Sequence, residues 1–294
     1  MSLNIPEHYS QQYTDTIQLK LQQGGSRLRA AVQNATHSGK AAVAVEQVGP
    51  VSARKRTTRH ADTPVIDTPA DKRWVFPNDY EWGDMVDHQD KVRMIVEPTS
   101  AYAVNGTNAI GRAIDQEIVA AFFGDAKTGE NGTVTTSFPS DRVVDAAEGA
   151  AAATGLNIKK LKVARRKLME QNVDVMNERL YCAVTAEQHE NLLNEIQVTS
   201  QDFNAQPVLV DGLITRFLGF DFIHTELLET DSGDLRRVPA WAFSGMHLGL
   251  WDAISGQIYP RPDKSNNIQV LVQGTFGATR LEEGKVVEIK CAEA

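Results

Sequence analysis

Hydrophobic positions recur at intervals of three and four between Ala103 and Phe122. Ala103, Ile110, Ala113, Ile114, Ile118, Ala121 and Phe122 share one broad face, and Asn108, Arg112, Asp115, Gln116 and Glu117 cover the rest. The spacing predicts one long amphipathic helix from Thr99 to Phe123, ending before Gly124. Thr99 follows Pro98, and its hydroxyl can accept from the free amides of the first turn. Gly106 and Gly111 each cost about 1 kcal/mol relative to alanine in a helix. They predict a bend or a close neighbour. A Gly-rich loop, GDAKTGENGT (124–133), follows the helix.

Elsewhere the pattern is more mixed. Tyr9, Tyr13, Ile17 and Leu21 have helical spacing over residues 6–23, and Gly24–Gly25 ends that element. Residues 40–48 alternate like an edge strand before Gly49–Pro50, and ADTPVIDTPADKRWVFP (61–77) returns as its partner. The two predict a long hairpin with little core of its own. An isolated hairpin is marginal in water, so it needs a partner surface. Residues 79–97 read as a solvated helix bearing Asp84, Asp87 and Asp90 at three-residue spacing. Ile158, Leu161, Ala164, Leu168 and Met169 give the apolar face of a helix over 156–173. RLYCAVTA (179–186) reads as a buried strand running into the helix AEQHENLLNEI, with Glu187 in its first turn. Residues 207–223 read as β structure, and 238–251 as one compact apolar strand. The C-terminal stretch reads as two strands joined by the turn EEG, the first interrupted by a bulge at 277–280.

Charge changes the picture at the N-terminal end. Residues 1–60 hold eight lysines and arginines against three acids, while the remainder holds 22 basic and 35 acidic residues. A basic segment on an acidic body suggests an arm that lies on another copy of that body. Arg54, Lys55, Arg56 and Arg59 cluster on the hairpin, and Trp74 and Phe76 give it an apolar load unusual for a solvated loop. These six are the candidate inter-subunit contacts. A second cluster, Lys159, Lys160, Lys162, Arg165, Arg166 and Lys167, lies on the 156–173 helix. Lys159, Lys160, Lys162, Arg166 and Lys167 are candidates for an inner surface facing nucleic acid or an acidic partner. The alternative is a solvated helix back.

Candidate chemistry is sparse. The 124–133 loop has two glycines at phosphate-loop spacing, but Glu130 stands where lysine is needed and the loop follows a helix. Asp84, Asp87 and Asp90 lack the ligand spacing of a calcium loop. Cys182 and His189 are close in sequence, yet Cys182 is mid-strand among apolar residues, where a thiol is inert packing. His224 and His247 read as core or edge residues. Two distant cysteines form no disulfide framework and imply a reducing compartment. No apolar run is long enough to span a bilayer, and MSLNIPEHY lacks the form of a signal peptide. No catalytic residue, cofactor or metal site is expected.

Six segments, in this order, resemble the major capsid proteins of tailed bacteriophages with the Hong Kong 97-type fold. They are RWVFPNDYEW (73–82), AAFFGDAKTGENG (120–132), KLKVARRKLMEQNV (160–173), YCAVTAEQHENLL (181–193), LITRFLGFDFIHTELL (213–228) and VQGTFGATRLEEGKVVEI (272–289). The resemblance implies an α+β fold with an N-terminal arm (1–40), an extended β-hairpin loop (41–82) and a peripheral domain (83–178) with a spine helix at 99–123. It further implies an axial domain (179–264) and C-terminal strands (265–294) returning to the peripheral domain. It implies a structural, non-enzymatic subunit that assembles into hexamers and pentamers of an icosahedral phage head around double-stranded DNA. The implied partners are other copies, a portal protein, a scaffolding protein, a decoration or cement protein, and packaged DNA without sequence specificity. No membrane is involved. The place is the virion, assembled in the host bacterial cytoplasm. Because the chain starts at the arm, a separate scaffolding protein or a mature form is expected. Lys55 and Lys72 lie in the extended-loop region, but no asparagine and glutamate identify a covalent cross-link. Two alternatives are the shell protein of an encapsulin-type bacterial nanocompartment and a soluble nucleic-acid-binding protein.

Overall fold

A computed structural model of the chain describes residues 21–59, 62–63, 65–86, 99–195, 209–210 and 213–293. Most of the helix expected over 6–23 lies outside them, as do Asp87, Asp90 and the side chain of Thr99. The chain divides into two units, Met1–Ser26 with Asp79–Ala113 and Asp252–Gly274, and Arg27–Asn78 with Ile114–Trp251 and Thr275–Ala294.

In the first unit, the N-terminal half of helix α1 (Thr99–Phe123) meets β4 (Asn78–Val86) and the outer part of β15 (Asn267–Arg280) at Gly106. With the outer part of β14 (Met246–Arg261) these strands are ordered β14-β15-β4. Residues 78–86 are therefore a strand, not the solvated helix expected there. Tyr80, Trp82 and Val86 are the less exposed positions at even spacing, and that period of two prevails over the spacing of the aspartates. Trp82 also explains Gly106. A Cβ at Gly106 would come within 2.4 Å of the Trp82 ring and 2.8 Å of Val272. At Gly111 it would meet the backbone of Gly25 at 2.6 Å. Both glycines buy close approach, and the predicted neighbours are there.

The second unit is built on a six-stranded mixed sheet. It contains β7 (Val143–Val144), β8 (Leu180–Val184), β11 (Arg216–Phe217), β12 (Phe220–His224), β13 (Leu235–Ala242) and β16 (Val286–Ala292), in the order β11-β12-β8-β13-β16-β7. All five residues of β8 are buried, as a central strand with both faces covered requires. Trp241 is fully buried against Phe122 of α1, with ring centroids 4.6 Å apart, and its indole N–H donates to the Ala31 carbonyl at 2.9 Å. Ile114, Ile118 and Phe122 are buried at the centre of the face predicted for α1. Helix α2 (Ile158–Glu170) is capped by the Asn157 side chain and buries Ile158, Leu161, Ala164 and Leu168. Met169, expected on that face, is 53% exposed. Helix α3 (Ala186–Leu193) starts at a capping box formed by Thr185 and Gln188. Two-residue strands β9 (Leu209–Val210) and β10 (Leu213–Ile214) form a separate antiparallel pair.

Strand β1 (Gln33–Thr36) adds in parallel to the first residues of β14. A four-stranded sheet, β2-β3-β5-β6, completes the unit. It contains β2 (Ala42–Val48), β3 (Ala70–Val75), β5 (Ala126–Thr128) and β6 (Val134–Thr136). The Gly-rich segment after α1 is thus a short hairpin whose turn uses Gly129 and Gly132 at positive φ. The compact strand expected over 238–251 is two strands, β13 and β14, parted by a 3-10 turn at Phe243–Gly245. The C-terminal strands do not form the expected hairpin, because β15 and β16 belong to different sheets. The interruption expected at 277–280 is not there: strand β15 runs through to Arg280, and a Cβ at Gly277 would lie 2.0 Å from the Phe76 carbonyl oxygen.

Candidate assembly surface

The hairpin of β2 and β3 is antiparallel from Ala42↔Val75 to Val48↔Ala70, with a register shift between Val43 and Val45. Its ladder closes where the Gly49 amide donates to the Pro69 carbonyl at 2.7 Å. The prolines beyond explain why pairing stops, since a proline nitrogen cannot donate to a ladder. At its base the hairpin is joined to the body. Strand β3 pairs with β5, and the Gln47 amide donates to the Leu281 carbonyl at 2.7 Å. Buried Arg73 reaches Glu283 at 2.7 Å.

Past Gly49 the described residues up to Pro69 form no strand and are exposed. Arg54, Lys55, Arg56 and Arg59 all lie there. The Arg56 Nε donates to the Thr58 carbonyl at 2.9 Å, and none of the four pairs with a carboxylate among the described residues. The same tip exposes apolar side chains, with Val65 98% exposed and Val51 52%. A tip whose cations meet no carboxylate and whose valines are bare has no packing surface within its own described chain. Phe76 is 43% exposed. Trp74, predicted to contact a neighbour, is half-buried and also makes contacts within the chain. Its indole N–H donates to the Gly129 carbonyl at 2.8 Å, and its ring lies where a Cβ on Gly132 would meet it at 2.9 Å.

The junction below the hairpin escaped the sequence reading. Fully buried Arg280 donates from Nη1 to the carbonyls of Phe122 and Gly124, both at 2.9 Å, and so places a cation at the C-terminal end of α1. Glu283 lies between the two buried guanidiniums, 2.7 Å from Arg73 and 3.7 Å from Arg280. The only sequence hint is that each arginine lies in a β-prone stretch directly before an apolar residue, Trp74 and Leu281.

The basic helix resolves into separate roles. Lys160 does not belong to the surface set, because it is fully buried. Its ammonium donates to the carbonyls of Thr154, Gly155 and Lys290 at 2.6, 3.1 and 2.9 Å, which uses all three hydrogens. Burial holds its pKa below the ordinary lysine value. Lys167 donates to the Asp141 carbonyl at 2.6 Å, and Lys159 to that of Gly149 at 3.3 Å. Arg166 pairs with Glu170 one turn on at 3.4 Å, and Lys162 is exposed. An open groove of about 410 Å³ runs along Lys162, Arg165, Arg166, Met169, Glu170 and Leu218.

The remaining candidates carry no chemistry of their own. Cys182 is fully buried, and burial pushes its thiol pKa far above the ordinary value. His189 accepts the Ile214 amide at its Nε2, 3.1 Å away. A thiol held protonated and an imidazole occupied by a backbone donor do not make a nucleophile and base. Among the described residues no group of three or more metal-ligating side chains converges, and no helix is long and apolar enough to cross a membrane.

Comparison with known proteins bears on the whole chain. A search of curated proteins finds no match. Among solved structures, the capsid of cyanophage P-SCSP1u matches 100% of this chain and 96% of its own, at 13% identity and a TM-score of 0.76. The capsid of a native GTA particle matches 99% and 98%, at 10% identity and a TM-score of 0.72. Mycobacterium phage Che8 matches 96% and 97%, at 17% identity and a TM-score of 0.69. At such identities these likenesses speak for the fold, which is the α+β Hong Kong 97-type capsid fold. Membership rests on the model of the phage capsid protein family, which matches residues 5–293. The chain belongs to the phage capsid protein family and is a structural major capsid protein.

Proposed function

We propose that this subunit assembles with copies of itself into hexamers and pentamers of an icosahedral phage head that encloses double-stranded DNA. The hairpin tip lies over the adjacent subunit. Arg54, Lys55, Arg56 and Arg59 meet carboxylates of that neighbour, whose body beyond residue 60 carries the excess of acids. Phe76 adds apolar contact at the hairpin base. Lys159, Lys162, Arg166 and Lys167 face the packaged DNA or another acidic partner. The role is structural and not enzymatic. A portal protein at one vertex, a scaffolding protein during assembly and a decoration or cement protein complete the set of partners. The place is the virion, after assembly in the host bacterial cytoplasm.

The observation that carries this reading is the tip itself: four cations without a carboxylate partner among the described residues, beside valines left bare. Changing Arg54, Lys55, Arg56 and Arg59 together to Ser tests it. The isolated subunit should unfold as before, because exposed charges away from packing contribute within about 0.5 kcal/mol. The assembled particle should melt earlier than the unchanged particle. Equal melting of the two particles would refute the contact between tip and neighbour.

A further inference from the structure

The imidazoles of His37 and His247 meet with their Nε2 atoms 2.8 Å apart. His247 is in the first residues of β14 and 4% exposed, and His37 follows the end of β1. Gly249 makes the contact possible, since a Cβ there would come within 2.7 Å of the His37 ring and 2.9 Å of the Trp251 ring. His247, Gly249 and Trp251 alternate along one face of β14 and make a seat for the His37 ring. Trp251 closes the seat, with ring centroids 5.3 Å apart and its indole N–H donating to the Gly39 carbonyl at 2.8 Å. The His37 amide adds a bond to the Leu250 carbonyl at 2.8 Å and continues the β1 ladder by one step.

Two neutral imidazoles can share one hydrogen at that distance, one ring donating and the other accepting. A proton taken up on the donor ring's other nitrogen leaves that bond in place and puts a cation in a largely buried seat. A second proton converts the accepting lone pair into an N–H aimed at the first, and the bond is lost between two cations. We propose that His37 and His247 form an acid-released clasp, which holds residues 33–39 on β14 at neutral pH and lets them go when both rings are protonated.

Neighbouring charges do not offset those protons. Strand β1 carries no charged residue; Arg29 before it and Lys40 after it are exposed. The next charge along β14 is the exposed Asp252. Strand β15 beside it carries Arg280 alone, which is committed to Phe122 and Gly124. Burial, and secondarily the charge of His37, lowers the His247 pKa from 6.5 to about 4, and burial also lowers that of His37. An imidazole depressed in the folded state favours folding fully above its unfolded pKa. That contribution is lost as pH falls from about 6.5 toward 4.

Backbone amide exchange of peptides spanning residues 33–39, in the full-length protein and corrected for intrinsic rates, tests the clasp. Between pH 7.5 and 4.5 the opening equilibrium should rise more than tenfold, while peptides from β13 stay protected. With His37→Gln and His247→Gln together, side-chain amides keep a hydrogen bond that does not titrate, and the acid response should fall below twofold. Should that pair fail to fold, His247→Gln alone leaves only the more accessible ring and should cut the response below threefold. Protection of 33–39 that does not change with pH, or an acid response that persists in the variants, would overturn the proposal.

Discussion

Asp115 sits on the face of α1 that periodicity assigns to solvent, yet it is fully buried. Its carboxylate accepts the amides of Arg27 and Leu28 at 2.9 and 3.1 Å, and so fastens the start of the N-terminal segment to the helix. Side-chain polarity alone could not reveal this, because the partners are backbone amides 88 and 87 residues away in sequence. The same limit hid Lys160, whose partners are three carbonyls. It also hid Arg280, whose acceptors include the last carbonyls of α1. A carboxylate or ammonium satisfied by backbone looks in sequence like a surface charge. Asp115→Ala should cost about 1–3 kcal/mol for each donor left buried without a partner, and Asp115→Asn, which keeps one acceptor, should cost less. Thermal unfolding of the unassembled subunit measures both.

At the scale of elements, long periodic stretches were legible and local alternatives were not. Helix α1 has the bounds expected from its spacing, and α2 falls inside its expected range. The hairpin of residues 41–77 was readable from its prolines and its alternation. The stretch 79–86 was misread because aspartate spacing was weighed above the alternation of Tyr80, Trp82 and Val86. The last two strands were misread as a hairpin because a short turn suggests pairing, whereas β15 and β16 enter different sheets. Gly277 marks where the hairpin base presses on β15, and a glycine within a strand does not tell a close approach from an interruption of the strand. Gly277→Ala should destabilise the subunit by about 1–3 kcal/mol. Gly256→Ala, whose Cβ would meet nothing within 4 Å, is the control and should stay within about 0.5 kcal/mol. Denaturant melts of the two variants decide this, and equal stabilities would contradict the close contact at Phe76.

For the whole molecule, the family was legible as an ordered set of segments, none of which is a motif for chemistry. Its structural character agrees with what the residues do. The thiol of Cys182 is sealed in a strand, the buried charges of Asp115, Lys160 and Arg280 are spent on backbone, and the hairpin tip is left bare. The tip could be identified in sequence as a region lacking its own core. The contacts of Trp74 within the chain were not legible, because its partners Gly129 and Gly132 lie on another hairpin. A subunit with an acidic body and a basic tip that meets no carboxylate among the described residues is suited to tiling with copies of itself. The most direct test is cryo-electron microscopy of the particle that contains this chain. The account predicts a closed icosahedral lattice of hexamers and pentamers, with residues 50–68 lying across the adjacent subunit and Arg54, Lys55, Arg56 and Arg59 beside its carboxylates. A lattice in which that tip folds back on its own subunit, or stands in solvent touching no neighbour, would contradict it.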